Sequence, residues 1–158
     1  MAVLCFLIIV TVAGVDLGVK QYIEKHVKSN EERNILQKRG ILRKVHNKGM
    51  IMNRLERYPL FVQLASVFAL GIMMLWQAFL LKKPGCRMEK AGVALMLGGA
   101  VSNTYDRVKR RYVVDYLAIR TPHKKLTDIT FNLADLAIVG GALVMLIGFL
   151  TSEKQSSF

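Results

Sequence analysis

Residues 98–116 read GGAVSNTYDRVKRRYVVDY and residues 131–135 read FNLAD, so Asp106, Asp115 and Asp135 stand at or beside the ends of very apolar stretches. A bilayer makes buried charge expensive, and carboxylates in such places either lie outside the membrane or do chemistry. Two carboxylates brought together in a partly desolvated site resist double ionisation and can share one proton. The ionised member can then take a proton from a water lying between them, while the protonated member polarises a carbonyl. That is aspartyl protease chemistry, and it calls for no metal or cofactor. Asn132 stands three positions before Asp135 on the same helical face, where its amide could donate to a carboxylate.

Residue types alone leave other readings open. Asp135 near the start of a helix is favoured by the macrodipole whatever its role. Asp115, among many basic neighbours, could sit in a surface ion pair. Asp106 with Arg107 could anchor a helix end, or the arginine could bridge carboxylates in a bidentate way. Asp16 and Lys20, spaced i,i+4, could be an ordinary helix-surface pair or could brace a site. Cys5 and Cys86 lie far apart with no metal-type spacing, and His26, His46 and His123 form no ligand pattern.

The elements that must position these residues are membrane helices. Of 158 residues, 53% are hydrophobic, and the mean hydropathy is +0.31. Four apolar segments predict four transmembrane helices over about 2–20, 59–81, 88–107 and 131–151, in a single domain spanning 1–158. The second offers 23 uncharged positions, above the roughly 20 needed to span. The first and third are short and borrow their flanks. No basic leader or cleavage site suggests a removable signal peptide. The segment KQYIEKHVKSNEERNILQKRG is expected to lie as a helix along the membrane surface. Strands are expected in ILRKVHNKGMIMNRL, with a turn at Asn47-Lys48-Gly49, and in YVVDYLAI; together they would form a small β-layer capping one side of the bundle.

The net charge of +12 fits an anionic lipid surface better than nucleic acid, because the apolar runs have no place in a nucleic-acid module. An even number of spans puts both termini on one side and Asp16, Asp106, Asp115 and Asp135 together on the other. That convergence makes a dyad possible. A proton-coupled transporter would instead hold its acids near the midplane within repeats, and no repeat is visible; a catalytically inactive scaffold is the remaining alternative.

The ordered set GGAxxNxxDR, VVDY and FNxAD, with VDLGVK and HNKG before it, resembles lipoprotein signal peptidase, the signal peptidase II family, over nearly the whole chain. The resemblance implies that Asp115 and Asp135 are the catalytic dyad. It places Asn47, Gly49, Asn103, Asp106, Arg107, Asn132, Ala134, Asp16 and Lys20 around them as binding or bracing residues. Asp128 matches no family position and reads as a solvated loop residue. The implied substrate is a diacylglyceryl-modified prolipoprotein, cleaved just before its lipidated cysteine. The implied setting is the bacterial cytoplasmic membrane, with the dyad at the extracytoplasmic face, both termini cytoplasmic and the protein a monomer.

Three places depart from the family pattern: Ser102 stands for the usual Gly before Asn103, Met50 and Met52 follow Asn-x-Gly, and Thr127–Thr130 replace the usual approach to FNxAD. The charge asymmetry also runs against the implied orientation. Residues 16–58 carry 11 Lys and Arg and 103–130 carry 7, against 4 in 81–90 and Lys154 beyond, so a bare positive-inside count predicts the reverse.

Overall fold

The computed structural model describes residues 1–29, 31–37, 39–49 and 57–155. Met50 and Met52, and with them any return strand after Asn47-Lys48-Gly49, lie outside the described residues, as does the end of the C-terminal tail. Four helices are long: α1 (Ala2–His26), α2 (Pro59–Lys82), α3 (Arg87–Lys109) and α5 (Leu133–Gln155), with a single turn α4 (Lys124–Thr127) before the last. Three of them, α1, α2 and residues 133–151 of α5, are long and apolar enough to cross a membrane. The third segment, α3, is expected to span as well but carries too many polar side chains to qualify on composition.

The packing gives the reason. Helix α3 lies against α5, α1 and α2, so its neighbours are protein rather than lipid and its polar residues need not face hydrocarbon. Glycines set its distance from α5. A Cβ on Gly92 would come within 2.6 Å of the Gly141 carbonyl oxygen, and one on Gly141 within 2.5 Å of the Gly92 oxygen. One helical heptad on, a Cβ on Gly99 would clash with the Ala134 carbonyl. Small residues at this spacing let two backbones touch, which is how membrane helices gain van der Waals contact without a hydrophobic drive.

At one end of the bundle lies a three-stranded antiparallel sheet in the order β1 (Glu32–Ile35), β2 (Gly40–Asn47), β3 (Val113–Ile119). The β-layer is therefore as expected, but the surface helix is not. Helix α1 continues through Lys20 to His26, and the chain then turns into β1, an exposed edge strand paired with β2. Lys and Glu extend a helix readily, so no break falls at Lys20. The hairpin between β1 and β2 turns with Leu36 and Gln37 at positive φ, without the glycine that would have marked it in the sequence.

The two faces of β3 have different tasks. Val114 and Tyr116 pack with Ile23 and Val27 at the end of α1. Asp115 points to the other face. Between Leu42 and Val45 the β2–β3 register slips by one residue: Leu42 pairs with Leu117, yet Val45 pairs with Asp115. That bulge turns Asn47, rather than His46, onto the face of Asp115, because side chains alternate with period two. Beyond β3, Phe131 bridges to Leu117, with its backbone N–H 2.8 Å from the Leu117 oxygen. This bridge delivers the start of α5, and so Asp135, beside the strand that carries Asp115.

Candidate active site

Asn132 joins the two carboxylates. Its side-chain Nδ2 donates to Asp115 Oδ1 at 2.7 Å, and its backbone N–H donates to Asp135 Oδ2 at 3.1 Å. In return the Asp135 N–H donates to Asn132 Oδ1 at 2.9 Å, a reciprocal cap on the first turn of α5. That bond fixes which way the Asn132 amide faces, so its Nδ2 donates to Asp115 and, at 3.4 Å, also to Asn103 Oδ1. Asn103 is held in a similar way. Its Oδ1 accepts from Lys20 Nζ at 2.7 Å, which leaves Nδ2 to donate to Asp135 Oδ1 at 2.8 Å. Asn47 completes the set, donating through Nδ2 to Asp115 Oδ2 at 2.9 Å, while its own Oδ1 is buried without a partner.

Beneath this layer lies a fully buried charge cluster. Lys20 Nζ is 2.7 Å from Asp16 Oδ2 and 3.5 Å from Asp106 Oδ2, with all three side chains completely shielded from solvent. Asp16 and Lys20 are therefore a bracing pair and not a surface pair. Ser102, the departure from the family's glycine, donates to Asp16 Oδ2 at 2.5 Å and accepts from Lys20 at 3.1 Å. A hydroxyl here adds a bond to charges that would be costly if left unsatisfied. Asp106 also accepts the Val114 N–H at 3.1 Å, pinning the strand next to Asp115, and forms an ion pair with Arg110 at 3.1 Å.

Arg107 corrects one expectation. Among the described residues it neither pairs with Asp106 nor bridges a carboxylate through hydrogen bonds; it stands half-buried in the combined field of Asp135, Asp115 and Asp106. Ala134 is buried against Gly99 and serves helix approach. Gly49 is buried two residues past the end of β2. Asp128 is exposed at the end of α4, where its backbone N–H donates to the Lys124 oxygen and its carbonyl accepts from Arg43.

One residue escaped the sequence reading. Tyr116 is buried, and its hydroxyl donates to Asp16 Oδ1 at 2.9 Å while accepting the Leu133 N–H at 3.1 Å. It ties the buried charges to the first residue of α5, two positions before Asp135. Its signal was a phenol one position after Asp115, facing the packed side of a strand that otherwise reads as apolar. Burial and the Asp16 carboxylate push its pKa up, so it remains a donor.

Burial dominates the electrostatics of Asp115. Desolvation pushes its pKa up to about 6 despite the bonds from Asn47 and Asn132, and the neighbouring Asp135 charge adds to the rise. The arrangement thus holds two carboxylates in one network, oriented by three amides, with one of them inclined to keep a proton.

The family model of signal peptidase (SPase) II matches residues 8–151. A lipoprotein signal peptidase of Moorella thermoacetica is 31% identical over 140 residues, covering 88% of this chain and 87% of that protein. One from Brucella ovis is 30% identical over 154 residues, covering 95% and 91%. Among solved structures, a bacterial membrane enzyme determined in meso at 2.3 Å superposes with a TM-score of 0.80 at 20% identity, covering 96% of this chain and 90% of that one. A second, at 1.9 Å, gives 0.74 at 21% identity and covers 92% of each. With the profile matched along most of its length, the chain belongs to the signal peptidase II family, membrane proteases that remove the signal peptides of lipoproteins.

Proposed function

We propose that Asp115 and Asp135 are the catalytic pair of this peptidase, and that its substrate is a diacylglyceryl-modified prolipoprotein cleaved just before the lipidated cysteine. The observation that carries this reading is the Asn132 bridge, which bonds both carboxylates at once while Asp115 is pushed up to about 6. Asp115 then holds the shared proton and Asp135 acts as base. Asp135 takes a proton from a water seated between the pair, and the resulting hydroxide adds to the scissile carbonyl carbon. Asp115 gives its proton to the carbonyl oxygen, forming a tetrahedral diol. Collapse breaks the C–N bond, Asp135 returns its proton to the leaving amine, and Asp115 recovers the one it gave. Arg107, whose charge faces the pair without bonding it, is free to turn toward substrate; Asn47, with an unpartnered Oδ1, can accept a peptide N–H or the Asp115 proton.

The same reading makes α3 a fourth span, shielded by its neighbours, in one membrane domain with both termini cytoplasmic and the sheet outside. The protein is taken to act as a monomer. A substrate anchored by acyl chains stays in the bilayer, so a site at the helix ends meets lipid, peptide and water together. The transporter and scaffold alternatives have no comparable support, since the relatives are peptidases.

The test is cleavage of a lipidated prolipoprotein by the purified protein beside Asp115→Asn and Asp135→Asn. Each substitution is expected to lower kcat by about three orders of magnitude or more. Retention of more than a tenth of the activity in either variant removes that residue from the reaction.

A further inference from the structure

Around the end of the bundle that holds the sheet, three helices show the same succession. Tyr22 on α1, Tyr58 at the start of α2 and Tyr105 on α3 are exposed by 54, 63 and 48%. Just beyond each tyrosine, toward the sheet, stands a lysine or arginine: Lys25, Arg57 and Lys109, joined by Arg111. Side-chain tethers hold these helix ends in one rim. Arg110 Nη2 donates to Gln21 Oε1 at 2.7 Å, linking α3 to α1, and Arg111 Nη1 donates to Gln63 Oε1 at 2.9 Å, linking α3 to α2. Away from the sheet, α2 presents Leu60, Phe61 and Leu64 to the outside.

Tyrosine rings favour the headgroup level of a bilayer, apolar side chains its acyl region, and long cationic side chains reach past both toward the phosphates. The order cation, tyrosine, apolar residue along α2 is that of phosphate, glycerol and acyl chain in a phospholipid. On the strands, Arg33 pairs with Glu31 at 2.7 Å, Arg43 with Glu32 at 3.1 Å and Lys44 with Glu24 at 3.4 Å. Among the described residues no carboxylate pairs with Lys25, Arg57, Lys109 or Arg111. Four like charges around one rim repel one another unless an anion lies between them.

We infer that the rim formed by Lys25, Arg57, Lys109 and Arg111 binds the headgroups of anionic phospholipids in the leaflet that meets the catalytic end. The inference rests on the membrane placement proposed above but not on the reaction. A zwitterionic lipid offers a phosphate together with its own cation and so leaves the rim charge uncompensated; an anionic one does not. Each cation near an anionic surface is worth about fivefold in preference.

The experiment is competition between labelled phosphatidylglycerol and phosphatidylcholine for the purified protein in neutral detergent, read by fluorescence. It is run on the intact protein and on Asp115→Asn, so that lipid binding is scored whether or not cleavage occurs. We expect a preference for phosphatidylglycerol well above about tenfold in both, falling to about fivefold or less in the triple variant Arg57→Gln, Lys109→Gln, Arg111→Gln, which keeps Lys25. Circular dichroism confirms that the triple variant keeps its helices; if it does not fold, the single variants must each lower the preference. Equal binding of the two lipids, or an undiminished preference in the folded variants, overturns the proposal. Inorganic phosphate competing more strongly than chloride at equal ionic strength overturns it too, because the rim would then be a site for the free ion. Cleavage retained by Asp115→Asn with the lipid preference intact would count against the dyad and leave the rim standing.

Discussion

Asp115 has both carboxylate oxygens occupied by amide donors, yet its pKa lies above the ordinary carboxylate range, because burial outweighs those bonds. The group is raised from 3.8 to about 6, so its neutral form is favoured in the folded protein. The stability this confers is fully present below about pH 4 and is lost as pH rises through about 6, a change on the order of 3 kcal/mol. Asp115→Asn cannot ionise and should be free of that loss. Its new NH2 would oppose one amide donor, but Asn47 can turn its orphaned Oδ1 inward to accept it. Melting curves should therefore show the variant at least as stable as wild type at pH 8, the advantage shrinking toward pH 4, while wild-type kcat/KM falls above about pH 6. A variant clearly less stable than wild type at pH 8 would mean that the carboxylate is held for structure. The two carboxylates were legible in the sequence as a candidate pair because VVDY and FNxAD mark them, and the structure brings them into one hydrogen-bond network. The divergent parts played by Asp106 and Arg107 were not, since adjacent helical residues point about 100° apart and only packing decides which one is enclosed.

Three elements meet at Tyr116. Its own strand β3 carries Asp115, its hydroxyl reaches Asp16 on α1, and the same oxygen receives the first N–H of α5, which carries Asp135. Tyr116→Phe keeps the ring in the cluster with Ile23 and Val27 but leaves Asp16 Oδ1 and the Leu133 N–H short of a partner, a cost of roughly 1–3 kcal/mol. A residue that only filled space would lower the melting temperature and leave turnover alone. Because this one sets the start of α5, we expect kcat to fall about tenfold with KM nearly unchanged, in steady-state assays well below the melting temperature. An unaltered kcat would make Tyr116 a packing residue. At this scale the helices were readable from apolar length, and the strands from β-branched residues beside Asn-x-Gly. The extension of α1 and the pairing of β1 with β2 were not, for different reasons. The charged segment after Lys20 suits a helix locally, and only pairing with β2 makes Glu32–Ile35 a strand. The bulge that turns Asn47 toward Asp115 leaves no mark at all, because Arg43 and Lys44 are ordinary strand residues and the slip exists only relative to β3.

For the whole molecule, Asp115, Asp135 and the basic excess fall at the same end, and this sets two rules against each other. Positive-inside counting would place that end in the cytoplasm. A peptidase that acts on exported, lipid-anchored precursors needs it on the opposite side. The charge rule is a bias and not a constraint, and several of the cations it counts are bonded to carboxylates in the folded protein, Lys20, Arg43, Lys44 and Arg110 among them. Lys90 shows the same at the other end, where its ammonium is spent on the Lys83 and Gly85 carbonyls that close α2. The cations left over form the rim, where a phospholipid leaflet can hold them outside as well as inside. Topology is therefore the measurement on which the remaining placement turns. In a Cys86→Ser background, a cysteine placed at exposed Lys124, on the sheet side, should react with a membrane-impermeant maleimide in intact cells. Cys86 of the wild type, in the loop between α2 and α3, should react only after permeabilisation. The reverse pattern would leave the bonded geometry of Asp115 and Asp135 untouched but put it on the wrong side for a translocated precursor, and the proposed substrate would have to be given up.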